Sequence, residues 1–272
     1  MMSTTLPRSE LAPGLWGWHH TSESASSTLL LIHGVGLRGE AWLPLLPYLK
    51  PTFSILAIDL PGHGLSPTLS GSEAHGLSDF TDRIGQILKG IDRPMHVIGH
   101  SMGAMIAIDL AARFTGQIAS VTALNAIFRR PPEAALAVQQ RADALQNEPN
   151  ADPGPTLERW FGAEPEPTLD DMATACRHWL MDVDRQGYQT AYRVFAHSDG
   201  PSDEQLAHLA CPALFMTGSE EPNSTPAMSK AMAELAPQGE YAEIAHARHM
   251  MPMTHAREVA ARVDPFLTNK PD

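Results

Sequence analysis

Short apolar runs bounded by turn residues recur along this chain, and they leave few architectures open to it. They read TLLLIHG (28–34), FSILAIDLPGHG (53–64), MHVIGHS (95–101), IASVTALNA (118–126), PALFMTG (212–218) and a weaker GEYAEIA (239–245). Continuous apolar stretches of this length suit strands buried on both faces. Between them the residue pattern predicts helices over 40–49, 77–90, 102–114, 226–235 and 253–267. Strands alternating with helices predict an α/β fold, a mostly parallel twisted sheet with helices on both faces. The 272 residues fit one large domain of that kind, and a hydrophobic fraction of 43% fills its core.

The alternation stops between 127 and 207. That segment is rich in Ala, Glu, Gln, Pro and Trp and holds no clear strand, whereas PEAALAVQQRADAL and LDDMATACRHWLMDV carry helical periodicity. A Pro-rich stretch, PNADPGP, separates the two and reads as a hinge. The expectation is a core built from 1–126 and 208–272. A helical cap, 127–207, is inserted over the carboxyl ends of the strands, where open α/β sheets bind ligands.

Charge and composition exclude several functions. A formal net charge of −12 repels phosphate backbones and anionic lipid heads, so neither nucleic acid nor a membrane surface is an expected partner. No apolar run reaches the ~18 residues of a membrane span, and MMSTTLPRSE lacks the pattern of a secretory signal. Cys176 and Cys211 are the only cysteines and have no metal or redox spacing, which predicts reduced structural thiols and a cytoplasmic setting. Thirteen histidines include no HExxH motif, and no metal is expected.

The chemistry gathers around VIGHSMGAM. Ser101 stands between Gly99 and Gly103 where an apolar run ends and a helix begins, the pattern of a strand–turn–helix elbow that lifts a hydroxyl out of a sheet. The two glycines let strand and helix backbones approach closely. A serine hydroxyl is a weak nucleophile at neutral pH and needs a base within reach. His249, between the last strand and the last helix, is the candidate; His246, three residues earlier, is the alternative. An imidazole base needs a carboxylate to fix its tautomer, and Glu221, just after the strand ALFMT, fits, with Glu220 beside it as the alternative. The oxyanion requires backbone donors, expected from the N–H of Met102 and from that of Val35 in the loop after His33 and Gly34. His33, His63 and Asp59 read as loop-stabilising.

These motifs resemble the α/β-hydrolase fold superfamily, in particular serine esterase- and lipase-like members with a helical cap. LLLIHGVGLRGEAW resembles its His-Gly oxyanion loop, and DLPGHGLS, GHSMG, TGSEEPNSTP and ARHMMP follow in the order of that family over nearly the whole chain. The triad acid there is more often Asp than Glu. The resemblance implies a serine hydrolase cleaving a small to medium carboxylic ester through an acyl-enzyme, with that ester and water as its partners and no cofactor. Carbon–carbon bond hydrolase, lactonase, thioesterase and acyltransferase chemistry on the same triad remain alternatives, as does a non-catalytic ligand-binding member. A homo-oligomer stays open.

Within the cap, Trp160, Phe161, Trp179, Tyr188, Tyr192 and Phe195 supply large aromatic groups, of which Trp160 and Trp179 are the candidate substrate contacts. Arg129 and Arg130 stand where the last core strand enters the cap. Arg129 is taken as the candidate contact for an anionic group on the substrate.

Overall fold

The computed structural model describes residues 7–22, 25–50, 52–71, 74–147, 152–163 and 169–268. Eight strands form one sheet: β1 (Arg8–Ala12), β2 (Leu15–His20), β3 (Ser27–Ile32), β4 (Phe53–Ile58), β5 (Met95–His100), β6 (Ile118–Leu124), β7 (Ala213–Gly218) and β8 (Gly239–Ile244). Their spatial order is β1-β2-β4-β3-β5-β6-β7-β8, parallel from β4 to β8, with β1 and β2 antiparallel at one edge. The β1–β2 hairpin is absent from the sequence reading, although its turn, Pro13-Gly14, has the left-handed glycine (φ 66°) that such turns favour.

The interior strands are buried on both faces, and their period of two divides the core. Leu30 and Ile32 of β3 join one apolar layer with α1 (Leu77–Gly85), α2 (Met102–Arg113) and α8 (Pro226–Leu235). Leu29 and Leu31 face the other, with Trp18, Trp42 and the C-terminal helix α10 (Ala256–Thr268). At roughly 25 cal/mol per Å² of apolar surface removed from water, these two layers dominate the driving force for folding.

The expected helix over 40–49 is not formed. Two short 3₁₀ turns, Gly39–Trp42 and Leu46–Tyr48, stand there instead, because Pro44 and Pro47 remove N–H donors and clash with a continuing helix. The expected helix over 77–90 ends as α1 at Gly85 and continues only as a 3₁₀ turn, Gln86–Gly90.

Among the described residues between β6 and β7 lie the helices α3 (Pro132–Asn147), α4 (Gly154–Phe161), α5 (Asp170–Asp182), α6 (Arg185–Ala196) and α7 (Asp203–Ala207). Residues 149–151 of the expected hinge lie outside the described residues; the rest leads into α4. The helices α4 and α5 are fastened to the loops after β3 and β8 by a third apolar cluster, in which Leu157, Phe161 and Cys176 meet Leu37, Ala41, Met250 and Met253. The start of α6 touches the loop after β4 backbone to backbone: a Cβ on Gly187 would lie 2.4 Å from the Gly62 Cα. The short helix α9 (Met251–Thr254) lies between β8 and α10. Among the described residues no helix is long and apolar enough to cross a membrane.

Candidate active site

Ser101 ends β5 and begins α2. Its backbone holds φ 57°, a left-handed conformation that a non-glycine residue adopts only when its surroundings enforce it. The enforcement is visible on both sides. Ser101 N donates to Leu124 O of β6 at 2.9 Å, and the glycines allow an approach that side chains would block. A Cβ on Gly99 would lie 2.1 Å from Gly103 O, and one on Gly103 2.2 Å from Ile32 O. The hydroxyl makes no capping bond to its own helix and faces a cavity, and the residue is 7% exposed.

The loops after β7 and β8 bring His249 to the same cavity. They are stitched together by Ser219 N to Ile244 O at 2.9 Å and Glu220 N to Ala247 O at 3.0 Å. His249 Nδ1 donates to Glu221 Oε2 at 2.9 Å, which leaves Nε2 as the acceptor nitrogen. Among the described residues no hydrogen bond joins the Ser101 hydroxyl to that ring, although both line the cavity. Such bonds are often long before substrate arrives and tighten in the reacting complex.

Glu221 is 3% exposed, and its second oxygen accepts from the N–H groups of Asn223 (2.8 Å) and Ser224 (3.2 Å). Burial pushes its pKa up, but the neighbouring His249 and these hydrogen bonds outweigh it and hold the carboxyl below the usual range. The alternatives considered from sequence face elsewhere. His246 and Arg248 lie 3.4 and 3.2 Å from the Glu220 carboxylate, and the His246 side chain is exposed.

Two residues outside the sequence reading of the site fix the histidine loop. The His249 carbonyl accepts from His100 Nε2 at 2.8 Å and from Asn125 Nδ2 at 2.7 Å. Burial, and then the neighbouring His249, lower the His100 pKa to about 3, so the ring is a neutral donor. Asn125 itself sits at φ 54°, directly after β6.

The loop after β3 runs against the serine: a Cβ on Gly34 would be 3.0 Å from the Ser101 Cβ. Val35 lines the cavity, and Met102, fully buried, carries the first N–H of α2 beside Ser101. Neutral histidines hold this loop. His33 Nε2 accepts from Leu60 N and His63 Nε2 from Gly36 N, each at 2.9 Å. Burial lowers His63 to about 4 and His33 well below its ordinary value. Asp59 accepts from Gly39 N at 3.0 Å and is paired with Arg8.

The cavity measures about 360 Å³ and is roofed by α3, α4 and α6. Trp160 lines it and stacks on His249, ring centroids 5.9 Å apart and planes at 21°. Trp179, the other candidate aromatic, is not among the described residues that line the cavity. It packs in the third apolar cluster, with the Arg38 guanidinium 6.0 Å from its ring. Arg129 also faces away, its side chain 61% exposed and paired with Asp203, so it is no cavity cation. Its φ of 52° turns the chain, and it is the neighbouring Arg130 that reaches the lining. The Arg130 guanidinium donates to the carbonyls of Phe195 (3.1 Å) and Ser198 (2.9 Å) at the end of α6 and covers the Phe195 ring. Arg141 and Arg159, which the sequence reading did not single out, line the cavity as well.

A sequence model of the Alpha/beta hydrolase family matches residues 29–262. The (E)-2-((N-methylformamido)methylene)succinate hydrolase of Acinetobacter baylyi is 33% identical over 255 residues, covering 93% of this chain and 95% of that protein. The 3-oxoadipate enol-lactonase 1 of the same species is 27% identical over 199 residues, 72% of each. The crystal structure of the enol-lactonase from Burkholderia xenovorans LB400 superposes with a TM-score of 0.84 at 23% identity, over 97% of this chain and 100% of that one, a likeness of fold. The glycine-flanked Ser101, the parallel sheet beneath it and the match across most of the sequence lead to one conclusion: this chain belongs to the alpha/beta hydrolase family.

Proposed function

We propose that this protein is a serine hydrolase that cleaves a small carbonyl substrate, an ester or an activated amide, through an acyl-enzyme. The observation that carries this reading is the pairing of Ser101 with His249 on one cavity, the ring oriented by the buried Glu221. Ser101 Oγ attacks the carbonyl carbon while His249 Nε2 takes the hydroxyl proton. The N–H groups of Met102 and Val35 receive the oxyanion, worth roughly 10²–10³ in rate per donor. The tetrahedral centre collapses, His249 returns its proton to the departing alkoxide or amine, and a water activated by the same ring releases the acid.

The substrate of the 33% identical relative, by its name, is a succinate bearing an N-methylformamido group. By analogy the proposed substrate carries a carboxylate besides the carbonyl that reacts. The enol-lactonase relative supports a second reading, in which the leaving alcohol is tethered to the acyl group and the same steps open a ring. We further propose that 127–207 acts as a cap over the cavity and that the chain works in the cytoplasm, in keeping with its two buried free thiols.

Turnover of monomethyl succinate by the wild type, Ser101→Ala and His249→Ala proteins tests the reading. Each substitution lowers kcat by about 10³-fold or more with the melting temperature preserved. A Ser101→Ala protein within roughly tenfold of wild type contradicts it.

A further inference from the structure

In a protein with a formal net charge of −12, the cavity in front of Ser101 is lined, among the described residues, by three guanidiniums and no carboxylate. Arg130 is accounted for by the carbonyls at the end of α6. Arg141 and Arg159 are not. Among the described residues neither forms an ion pair, and Arg159 bonds only to Thr156 Oγ1, at 3.0 Å. The two also border a smaller adjoining cavity of about 180 Å³; among the described residues its one acidic lining residue, Asp152, is engaged by Gly154 N (3.0 Å) and Arg177 (3.4 Å).

The roof is patterned to match. The residues of α3 that line the cavity are Ala134, Ala137, Val138 and Arg141, spaced i, i+3, i+4, i+7, so one helix face presents small apolar groups and then a cation. On α4, Thr156, Arg159 and Trp160 repeat the spacing, and Trp160 is the ring stacked on His249. Burial first, and then the nearby Arg141, lower the pKa of Arg159 against smaller opposing effects of Tyr192, Tyr188 and Glu158, so the two cations repel one another across the cavity lining. An anion between them relieves that repulsion, and guanidinium forks match the two oxygens of a carboxylate.

We propose that Arg141 and Arg159 form a carboxylate subsite that selects substrates whose reacting carbonyl is separated from a terminal carboxylate by a short aliphatic spacer. The subsite rests on the hydrolytic reading above and names the residues that would recognise the charged end of the substrate. The apolar face of α3 accommodates the spacer, and the Tyr188 and Tyr192 side chains border the same end of the cavity.

Two methyl esters that differ in a terminal carboxylate, monomethyl succinate and methyl butyrate, provide the test. The ratio of their kcat/KM values falls by roughly 10- to 100-fold in the R141Q/R159Q protein, chiefly through KM for the charged ester. Should the double variant melt early, R141Q and R159Q singly each lower the ratio by roughly threefold or more. A ratio that stays within roughly twofold overturns the proposal. Calorimetric titration of the Ser101→Ala protein with succinate separates this subsite from the chemistry. Binding weakens by roughly tenfold or more when both arginines are replaced in that background. No binding by the Ser101→Ala protein, unchanged affinity without the arginines, or inorganic phosphate binding as tightly as succinate overturns the subsite. Succinate binding without turnover of either ester overturns the hydrolytic reading and leaves the subsite standing.

Discussion

His249 Nδ1 lies 2.9 Å from Glu221 Oε2, and the other Glu221 oxygen is taken by two backbone N–H groups of its own loop. The carboxylate is therefore fixed before any substrate arrives, and it fixes the ring. Glu221→Gln keeps an oxygen for Asn223 and Ser224 but presents an amide to the histidine, which admits the wrong tautomer. The expected loss in kcat is about 10²–10⁴-fold. Glu220→Gln, whose target pairs with His246 and Arg248, leaves kcat within roughly threefold. Steady-state kinetics of the two variants decide between the adjacent glutamates.

The carbonyl of His249 is held by His100 and Asn125 from two different strand ends. Asn125→Ala removes one donor and places alanine at φ 54°. The expected costs are about 1–3 kcal/mol of stability and roughly a tenfold fall in kcat, with KM little changed. A fall in stability alone, read by urea melts beside kinetics, shows that Asn125 does not position the base.

Much of this arrangement is legible in the sequence, and the failures have physical causes. The glycines of VIGHSMGAM announce the elbow because a Cβ at either would lie only 2.1 or 2.2 Å from a backbone oxygen. The misread helix at 40–49 reflects apolar spacing that outweighed Pro44 and Pro47. Which of Arg129 and Arg130 faces the cavity depends on one left-handed residue, invisible in a linear pattern. The hold on His249 joins residues 149 and 124 positions apart, and no local periodicity carries such a contact. Ala134, Ala137, Val138 and Arg141 were readable as one helix face, but nothing local says what that face covers.

Gly103→Ala tests the elbow as a packing device. Its Cβ would lie 2.2 Å from Ile32 O, a backbone atom within the sheet, so relief requires moving β3 or α2. A loss of about 3 kcal/mol or more is expected in denaturant unfolding. Gly90→Ala, with nothing within 4 Å of its added Cβ, is expected to stay within about 0.5 kcal/mol of wild type.

The three buried histidines make stability depend on pH. Their folded-state pKa values lie below the unfolded value, about 4 for His63, about 3 for His100 and well lowered for His33. As pH falls through about 6.5 the unfolded chain takes up protons that the folded chain refuses, so stability is full above that pH and is lost below it. Each group contributes up to about 1.4 kcal/mol per pH unit across its window, or about 4 kcal/mol per unit for the three together. His63→Gln reduces that slope by about a third between about pH 6 and 5, above the range in which Glu221 begins to protonate. Urea titrations at stepped pH measure it.

Peptide mass spectrometry after treatment with a fluorophosphonate probe reports directly on whether Ser101 is the nucleophile. One adduct is expected, on Ser101, formed quickly in wild type, slowly in His249→Ala and absent in Ser101→Ala. An adduct mapped to another residue, or labelling that persists without the Ser101 hydroxyl, contradicts that role.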